Sequence, residues 1–563
     1  MRIETDRGIY HPGDRVRCHT DAERRNCKLC LNLYHLEKKI AESRTDMVDR
    51  VFSFCLPEKN SQGYLLQAEL LDSSGNVIDK GYTAIDCSDS WTRFPRYGYI
   101  WDYTDSADPE TKIRQLNGYH LNGLQFYDWQ YRHHIPVSPD LHEWNDWSGR
   151  KISGDILRAY LSTAHEAGMT CMAYNMIYAA NMTYLTDQSG VSPEWRLLKD
   201  DGTDFTCDMN AELGPVGILQ YFNPLNISWQ SYIFAKEKEV LEQLGFDGWH
   251  GDTIGEMGPM TTSDGKPLGY NKSGEAIHCV KDCYTQFLNA AKEAISPGYL
   301  AFNPVGAQGI ENVNRSNTDV LYTEFWPWDR DDRGELYDNY YSIHRAIVNA
   351  AAQSGGKSLI VAGYINYKNP AGYFNEPTVR LMDSVVFASG GSRIELGNGD
   401  GMLSNEYFPD DRHKKMSMTT QQSVERMYDF VTAYENLLRD GQKPLQAPAE
   451  ISGLPVSETG ASHTVWHFCM ADPEYEVHHF INLTGTDNEW RDVEQRKAVP
   501  QKQNSLCVRV RPARKVHAVY LASPDRSDLL PVSVAFTEGR DENGPCIQFV
   551  MDELEYWNMV FLR

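Results

Sequence analysis

The sequence predicts a multidomain protein in which a central (β/α)8 TIM barrel lies between two β-sandwiches. Its 563 residues are too many for one hydrophobic core. In the middle of the chain, short apolar segments alternate with longer amphipathic ones, whereas both ends show short alternating segments typical of strands. We predict an N-terminal immunoglobulin-like β-sandwich over residues 1–92, a (β/α)8 barrel over 93–442 and a C-terminal antiparallel β-sandwich over 443–563.

The N-terminal segment has the pattern of a sandwich of short strands. Residues 10–14 read as a turn, and the alternating Val16 and Cys18 follow it. An apolar run over residues 64–71 enters the turn sequence 72–76 and leaves through Val77 and Ile78. This arrangement is typical of a β-hairpin, and several such strands indicate an immunoglobulin-like domain.

The middle segment predicts eight strand–helix units. The candidate strands are 97–103, 123–129, 170–177, 248–254, 300–305, 320–326, 359–365 and 393–397. The candidate helices between them include 154–167, 228–244, 275–295, 335–353 and 376–389, and a last helix over 420–439 would close the ring. The longest insertion, about 178–225, follows the third strand, so we expect it to shape a cleft at the barrel mouth.

The C-terminal segment shows almost no helical periodicity. The candidate strands are 463–469, 476–483, 515–522, 529–536, 546–551 and 556–562. Proline residues at 444 and 448 mark the linker before them. A second sandwich is therefore predicted.

Composition excludes several classes of function. The net charge of −24 repels phosphate backbones, so nucleic acid is not an expected partner. The sequence lacks an apolar stretch of membrane-spanning length and an N-terminal signal sequence, and its 12 cysteines have no compact spacing. We expect a cytoplasmic protein with no membrane partner, or a secreted one if a signal peptide has been removed. The sequence also lacks nucleotide-binding glycine motifs, so no cofactor is expected.

The functional residues of such a barrel lie at the carboxyl ends of its strands. There the sequence places carboxylates, amides and aromatic rings rather than a Ser–His pair. We expect His133, His134 and His250 to donate hydrogen bonds to hydroxyl groups, or to form part of the cleft wall, rather than to bind a metal ion. The candidate substrate-binding residues from these ends are Asp128, Tyr131, His133, Tyr174, Asn175, His250, Asn303, Trp326, Tyr364 and Glu395.

Asp252 and Glu324 stand out among these residues because they end the fourth and sixth strands. Alternate strands place inward-facing side chains in one layer of the barrel. Glycoside hydrolysis needs one ionised carboxylate and one protonated carboxyl across a scissile bond. The aromatic neighbours of Glu324 predict a raised pKa and hence the acid role. The alternative is that both carboxylates form internal salt bridges.

Three motifs resemble glycoside hydrolase family 66: Gly-Phe-Asp-Gly-Trp-His-Gly-Asp at 245–252, residues 125–133, and Thr-Glu-Phe-Trp at 323–326. That family contains endo-dextranases and cycloisomaltooligosaccharide glucanotransferases, which act on α-1,6-linked glucose polymers with retention of configuration. The resemblance implies that Asp252 is the nucleophile and Glu324 the general acid/base. It also implies that Asp128, Tyr131 and His133 line the subsite for the glucose on the non-reducing side.

Two departures from the family pattern bear on which activity and substrate within the family the chain has. The cyclising members carry a carbohydrate-binding module after the seventh strand, whereas here about 27 residues separate Ile365 from Arg393. This length favours dextran hydrolysis over cyclisation. The small neighbours Gly251 and Thr253 of Asp252 differ from the bulkier residues expected there, which leaves the fine substrate preference open.

The hypothesis is that an α-1,6-glucan (dextran or an isomaltooligosaccharide) stacks on Trp326 and Trp328 and is hydrolysed by double displacement. Three alternatives remain: a cycloisomaltooligosaccharide glucanotransferase, a non-catalytic α-glucan-binding protein, and an α-galactosidase-like exo-enzyme. The products formed from dextran discriminate among them.

Overall fold

The computed structural model describes residues 1–25, 27–326, 328–330, 334–366, 372–399, 401–403 and 415–563. Within them, eight short parallel strands form two sheets in the middle of the chain. The first sheet pairs strands one to five in sequence order, and the second pairs strands six to eight. In chain order the eight strands are Tyr97–Ile100, Gly123–Phe126, Thr170–Met176, Gly248–Asp252, Tyr299–Phe302, Leu321–Phe325, Leu359–Gly363 and Ser392–Arg393.

The two parallel sheets lie against each other at both margins. Strand six packs beside strand five, and the backbone N–H of Asp319 donates to the carbonyl of Leu300 at 2.8 Å. At the other margin, the short strand Leu396–Asn398 packs against strand one. There the position of a Cβ on Gly397 would lie 2.4 Å from the ring of Tyr99, so a larger residue would force the two segments apart.

The helices follow the strands as predicted, but two of them begin later than predicted: those predicted over 275–295 and 335–353 begin at Tyr284 and Tyr340. The longer helices are Pro109–Asn117, Gly154–Glu166, Ile227–Leu244, Tyr284–Ile295, Tyr340–Ser354, Glu376–Ala388 and Met418–Ala433, and short ones are Ile310–Asn314 and Glu435–Leu438. The helix predicted over 275–295 begins at Tyr284, because residues before it form the hairpin of Gly269–Tyr270 with Ala276–Ile277 and a 3-10 turn. Among the described helices, none has both the length and the apolar character required to cross a membrane.

The insertion after strand three consists of short strands and 3-10 turns. Its strands are Ala179–Asn181, Leu197–Lys199, Thr206–Asp208 and Ile218–Tyr221, and Leu197–Lys199 pairs with Met260–Thr262 from the segment after strand four. Two further short pairs are Glu143–Asn145 with Lys151–Ser153, and Leu396–Asn398 with Gly401–Met402. The loops after strands three and four are thus joined above the carboxyl ends of the strands.

The N-terminal segment forms two antiparallel sheets around a buried apolar cluster that includes Val16, Leu31, Phe52 and Leu66. One sheet contains Ile3–Thr5, Arg15–Thr20 and Val51–Cys55; the other contains Lys38–Met47, Cys27–His35, Gln62–Leu71 and Val77–Cys87. The predicted hairpin is present, with its strands ending at Leu71 and starting again at Val77.

The C-terminal segment forms two sheets with an apolar cluster between them; their strands pair antiparallel, except that Val456–Ser457 pairs parallel with Val465–Ala471. The strands are Lys443–Leu445, Ala449–Ile451, Val456–Ser457, Val465–Ala471, Glu476–Asn482, Gln503–Val510, Val519–Ala522, Val532–Ser533, Phe536–Asp541, Gly544–Leu554 and Trp557–Leu562. The strand Gln503–Val510 was not among the predicted ones. Its alternating buried Leu506, Val508 and Val510 are the signal that identifies it.

Buried polar contacts join the three regions. The Arg96 guanidinium pairs with Asp86 at 2.8 Å and with Glu435 at 3.0 Å, and all three side chains are fully buried. The indole N–H of Trp490 in the C-terminal segment donates to the carbonyl of Tyr337, which follows strand six. These contacts fix the loop after strand six against the C-terminal sheets.

Candidate active site

Asp252 lies at the carboxyl end of strand four, where two neighbouring strands supply hydrogen-bond donors. The hydroxyl of Tyr174, on strand three, donates to Asp252 Oδ2 at 2.7 Å. The amide of Asn303, just after strand five, donates to Oδ1 at 3.0 Å. Both carboxylate oxygens are therefore held, which fixes the direction in which Asp252 presents them.

Glu324 is held in a similar way from the other side. The indole N–H of Trp326 donates to Oε1 at 2.9 Å, and the hydroxyl of Tyr364 donates to Oε2 at 2.9 Å. The side chain is only 8% exposed. Asn303 also lowers the pKa of Glu324, so one amide influences both acids.

The electrostatics of the pair confirm the predicted raised pKa of Glu324 and add a second raised pKa. Burial raises the pKa of both carboxyls, and the neighbouring Glu324 charge raises the pKa of Asp252 further. The aromatic residues Trp326 and Tyr364 also donate hydrogen bonds to Glu324, which limits the rise of its pKa. Two buried like charges repel, so near neutral pH the pair retains one proton. The pair then has the one ionised and one protonated carboxyl that acid–base or nucleophilic chemistry requires.

Aromatic rings extend the site beside Glu324. Trp326 stacks on Tyr364 with ring centroids 3.9 Å apart, and Trp328 stacks on Trp326 at 5.4 Å. Trp328 is 61% exposed. The stack therefore offers an apolar surface that begins at the carboxylates and ends in solvent, as predicted for Trp326 and Trp328.

The residues after strand two form the opposite side of the site. Asp128 is buried with a left-handed backbone at φ 46°, and burial raises the pKa of its carboxyl to about 7. Within the described residues, Asp128 Oδ2 has no hydrogen-bond partner. The ring of Tyr131 is half-buried and stacks on the Arg132 guanidinium at 4.0 Å. His133 Nδ1 lies 2.9 Å from Asn175 Oδ1, and burial lowers the pKa of this imidazole to about 4.

Two of the predicted substrate-binding residues are occupied by protein partners. The Asn175 amide donates to the His133 carbonyl at 2.8 Å and to Glu237 at 2.6 Å, on the side away from Asp252. Glu395 is fully buried and pairs with Arg393 at 2.9 Å, and the Tyr428 hydroxyl donates to it at 3.1 Å. Both assignments to the substrate cleft are wrong, because these groups already satisfy each other inside the fold.

His250 lies beneath the carboxylates rather than in the cleft. Its Nδ1 is 3.1 Å from the hydroxyl of Tyr97, and its ring packs against Tyr322 with centroids 4.6 Å apart. Burial lowers the pKa of the imidazole to about 3, so it is neutral. The prediction of a substrate contact is therefore wrong, and His250 supports Asp252 from two residues earlier on the same strand.

Asp329 is a site residue that the sequence reasoning missed. Its Oδ2 accepts the backbone N–H of Trp326 at 2.6 Å, and its side chain is 5% exposed. Gly306, after strand five, has φ 68°, and the position of a Cβ there would lie 2.7 Å from Asp329 Oδ1. Asp329 thus packs the loop that carries Trp326 against the loop that follows Asn303. The adjacent Glu324 charge contributes to raising the pKa of Asp329 to about 6, after burial.

A group of metal-ligand type within the described residues lies at the other end of the strands. It consists of His165, Cys171 and Asp247, and His165 Nε2 is 2.9 Å from Asp247 Oδ2. Cys171 is near the start of strand three and Asp247 precedes strand four. This cluster is therefore separated from Asp252 by the length of a strand, and the histidines predicted for the site do not belong to it.

The carboxylate pair, its donors and the aromatic stack define the class of enzymes that cleave or transfer glycosidic bonds. The model of glycosyl hydrolase family 66 matches residues 5–561. The chain belongs to this family and is a glycoside hydrolase, as the three motifs predicted.

The chain is similar to characterised relatives along most of its length. It is 26% identical over 726 aligned positions to a cycloisomaltooligosaccharide glucanotransferase of Niallia circulans, covering all of this chain and 71% of the relative. It is 26% identical over 575 positions to a dextranase of Streptococcus salivarius, covering 90% of this chain and 68% of the relative. A solved cycloisomaltooligosaccharide glucanotransferase of Paenibacillus sp., complexed with cycloisomaltoheptaose, has a TM-score of 0.88 at 24% identity and covers 100% and 99% of the two chains. The fold is therefore that of a multidomain protein with many sheets.

Proposed function

We propose that this protein cleaves internal α-1,6-glucosidic linkages of dextran and isomaltooligosaccharides with retention, using Asp252 as nucleophile and Glu324 as general acid/base. The observation that carries the proposal is the proximity of the two buried carboxyls: the charge of Glu324 raises the pKa of Asp252, and Asn303, which donates to Asp252 at 3.0 Å, also lowers the pKa of Glu324. A like charge shifts a pKa in this way only when it lies close by. Retaining enzymes separate their carboxyls by about 5–5.5 Å, whereas inverting enzymes leave a wider gap for water.

The two carboxyls are held alike, with one donor on each oxygen, and the charge of Glu324 raises the pKa of Asp252. The structure around them therefore supports a coupled pair of acids, and the division of roles rests on the sequence motifs that resemble the family.

The proposed reaction has two steps. Glu324 delivers its proton to the glycosidic oxygen while an oxygen of Asp252 attacks C1, so the C1–O bond to the leaving sugar breaks and a glycosyl ester forms. Glu324, now ionised, takes a proton from water, and the hydroxide oxygen attacks C1 and releases Asp252. The Trp326–Trp328 stack would hold the neighbouring glucose units.

We also propose that the eight parallel strands close into a (β/α)8 barrel flanked by two sandwiches, with the domain limits predicted from the sequence. The support is a buried cluster that takes side chains from strands of both sheets, among them Tyr99, Met172, Tyr322 and Ile360. Layers of inward side chains from alternate strands are the packing of a closed barrel interior.

Hydrolysis is proposed over transglycosylation because the segment after strand seven is short. Between strands seven and eight, the described residues contain the single helix Glu376–Ala388. A transglycosylase remains the second candidate, because the glucanotransferase relative aligns with the whole chain and the dextranase with 90% of it. A sugar hydroxyl would then replace water at the same two carboxylates.

Chromatography of the products from dextran tests the proposal. Linear isomaltooligosaccharides of several lengths are expected, because internal cleavage shortens the polymer at many positions. Cyclic products would favour the transglycosylase, and a failure to release reducing sugar from dextran would favour a non-catalytic glucan-binding protein.

A further inference from the structure

A groove runs along the outer face of the helix Tyr340–Ser354, away from the carboxylate pair. Its upper part, a cavity of about 500 Å³, lies beside residues 335–339 and includes Arg330. Its lower part, a cavity of about 280 Å³, lies between this helix and the C-terminal sheets. Both cavities are lined by Tyr341 and Arg345, so they adjoin on this face of the helix, and we call the two together the groove. Arg330 follows Trp328 and Asp329, which places the upper end next to the aromatic stack of the active site.

Aromatic rings from the helix and from the neighbouring strand line the lower cavity. Tyr341, His344 and Phe468 line it and are each partly exposed. The His344 ring lies 4.5 Å from that of Phe468 and stacks on Tyr341 at 6.0 Å. The buried indole of Trp466 backs Phe468 at 5.2 Å. Rings supported in this way present flat apolar surfaces, which suit the C–H faces of pyranose rings.

Polar groups of both hydrogen-bonding types also line the lower cavity. Asn349, Gln446, Glu458 and Thr459 line the lower cavity and are exposed. Together they offer amide, hydroxyl and carboxylate groups. The lower cavity is thus lined mainly by uncharged groups, and its hydrogen-bonding side chains suit a ligand rich in hydroxyl groups.

The groove is built on rigid elements. The helix supplies one wall, and the strands Lys443–Leu445 and Val465–Ala471 supply the other. At the upper end, the backbone N–H of Tyr340 donates to the carbonyl of Asn488 at 3.0 Å, and Trp490 donates to the carbonyl of Tyr337. The C-terminal segment therefore holds the groove in shape, and little ordering is needed when a ligand binds.

We propose that this groove is a second α-1,6-glucan-binding site, which holds a distant part of the polymer chain that is cleaved at Asp252 and Glu324. The identity of the ligand rests on the proposed function, whereas the existence of the site rests on the groove itself. Two sites on one polymer act together, because binding at the first raises the local concentration of the chain at the second. A short oligosaccharide cannot span the groove and the carboxylate pair at once, so the groove does not raise its apparent affinity for the active site.

Two variants test the groove, with one matched control. Asn349→Trp fills the lower cavity from an exposed helical position, and Tyr341→Ala removes an aromatic wall. Lys238→Trp introduces the same ring at an exposed position of the helix Ile227–Leu244, outside both cavities. Circular dichroism melting curves check that each variant folds.

Kinetics and binding give separate readouts. We expect the two groove variants to raise KM for dextran at least about threefold, with kcat/KM for isomaltotetraose within about twofold of the Lys238→Trp control. In an Asp252→Asn background, calorimetric titration with isomaltotetraose should show two sites, and one site when Asn349→Trp is added. An unchanged KM for dextran in the groove variants, together with a single binding site in Asp252→Asn, would overturn the proposal of a second glucan-binding site. If neither sugar is hydrolysed, the proposed function is wrong. The number of sites in the titration then shows by itself whether the groove binds the oligosaccharide.

Discussion

Asp329 gives the sharpest test of the electrostatics around Glu324. In Asp329→Asn, the side chain keeps its shape and its oxygen can still accept the Trp326 N–H, which it does at 2.6 Å in the native protein. The change removes one negative charge beside Glu324. The general acid must be protonated, so activity falls as pH rises through the pKa of Glu324. Loss of the neighbouring charge lowers that pKa, and the basic limb of the pH–rate profile moves to lower pH.

The size of this shift follows from the mutual interaction of the two acids. The pKa of Asp329 rises from 3.8 to about 6, mainly through burial and to a smaller extent through Glu324. Because Coulomb interactions are reciprocal, we expect the basic limb to move by less than about one pH unit. The assay is kcat/KM on an isomaltooligosaccharide across pH, with Asp329→Ala as a comparison that also loses the hydrogen bond. A basic limb that stays in place, or moves to higher pH, would refute this reasoning.

Three other substitutions give distinct outcomes. Tyr364→Phe removes a hydrogen bond of 2.9 Å to Glu324 and should lower kcat about tenfold, which corresponds to about 1.5 kcal/mol. The assay is the rate at saturating substrate, and an unchanged kcat would exclude a role for this hydroxyl in catalysis. Trp328→Ala should raise KM for dextran several-fold, because it removes a ring of the aromatic stack, and should leave the melting temperature unchanged, because the ring is 61% exposed. A lowered melting temperature with a normal KM would show a structural role instead. Glu395→Ala leaves Arg393 paired with Asp383 but takes an acceptor from the buried Arg393 and Tyr428, and it should destabilise the fold by about 1–3 kcal/mol in urea unfolding. A stable variant with a raised KM would restore Glu395 to the substrate cleft.

The sequence predicted the position of the site because strand ends are readable from local patterns. Asp252, Asn303 and Glu324 each end or follow a short apolar segment, and parallel strands bring such ends together. The terminal sheets were predicted from alternation alone. The helix Tyr284–Ile295 was predicted too early, because the hairpin before it depends on pairing between distant residues, which helical periodicity does not report.

Side-chain direction explains the residues that were wrongly assigned. Successive residues of a strand point to opposite faces, so the inward Tyr174, which reaches Asp252, implies an outward Asn175. This parity was available in the sequence and would have removed Asn175 from the cleft. Asp329 could not be found in that way, because its role depends on the packing of its loop against Gly306.

The anomeric configuration of the first product tests the central claim most directly. Proton NMR, recorded during the first minutes of isomaltotetraose hydrolysis, observes the new reducing end before mutarotation. Double displacement at Asp252 and Glu324 predicts that the α anomer forms first. Initial formation of the β anomer would mean a single displacement by water and would contradict the role of Asp252 as nucleophile.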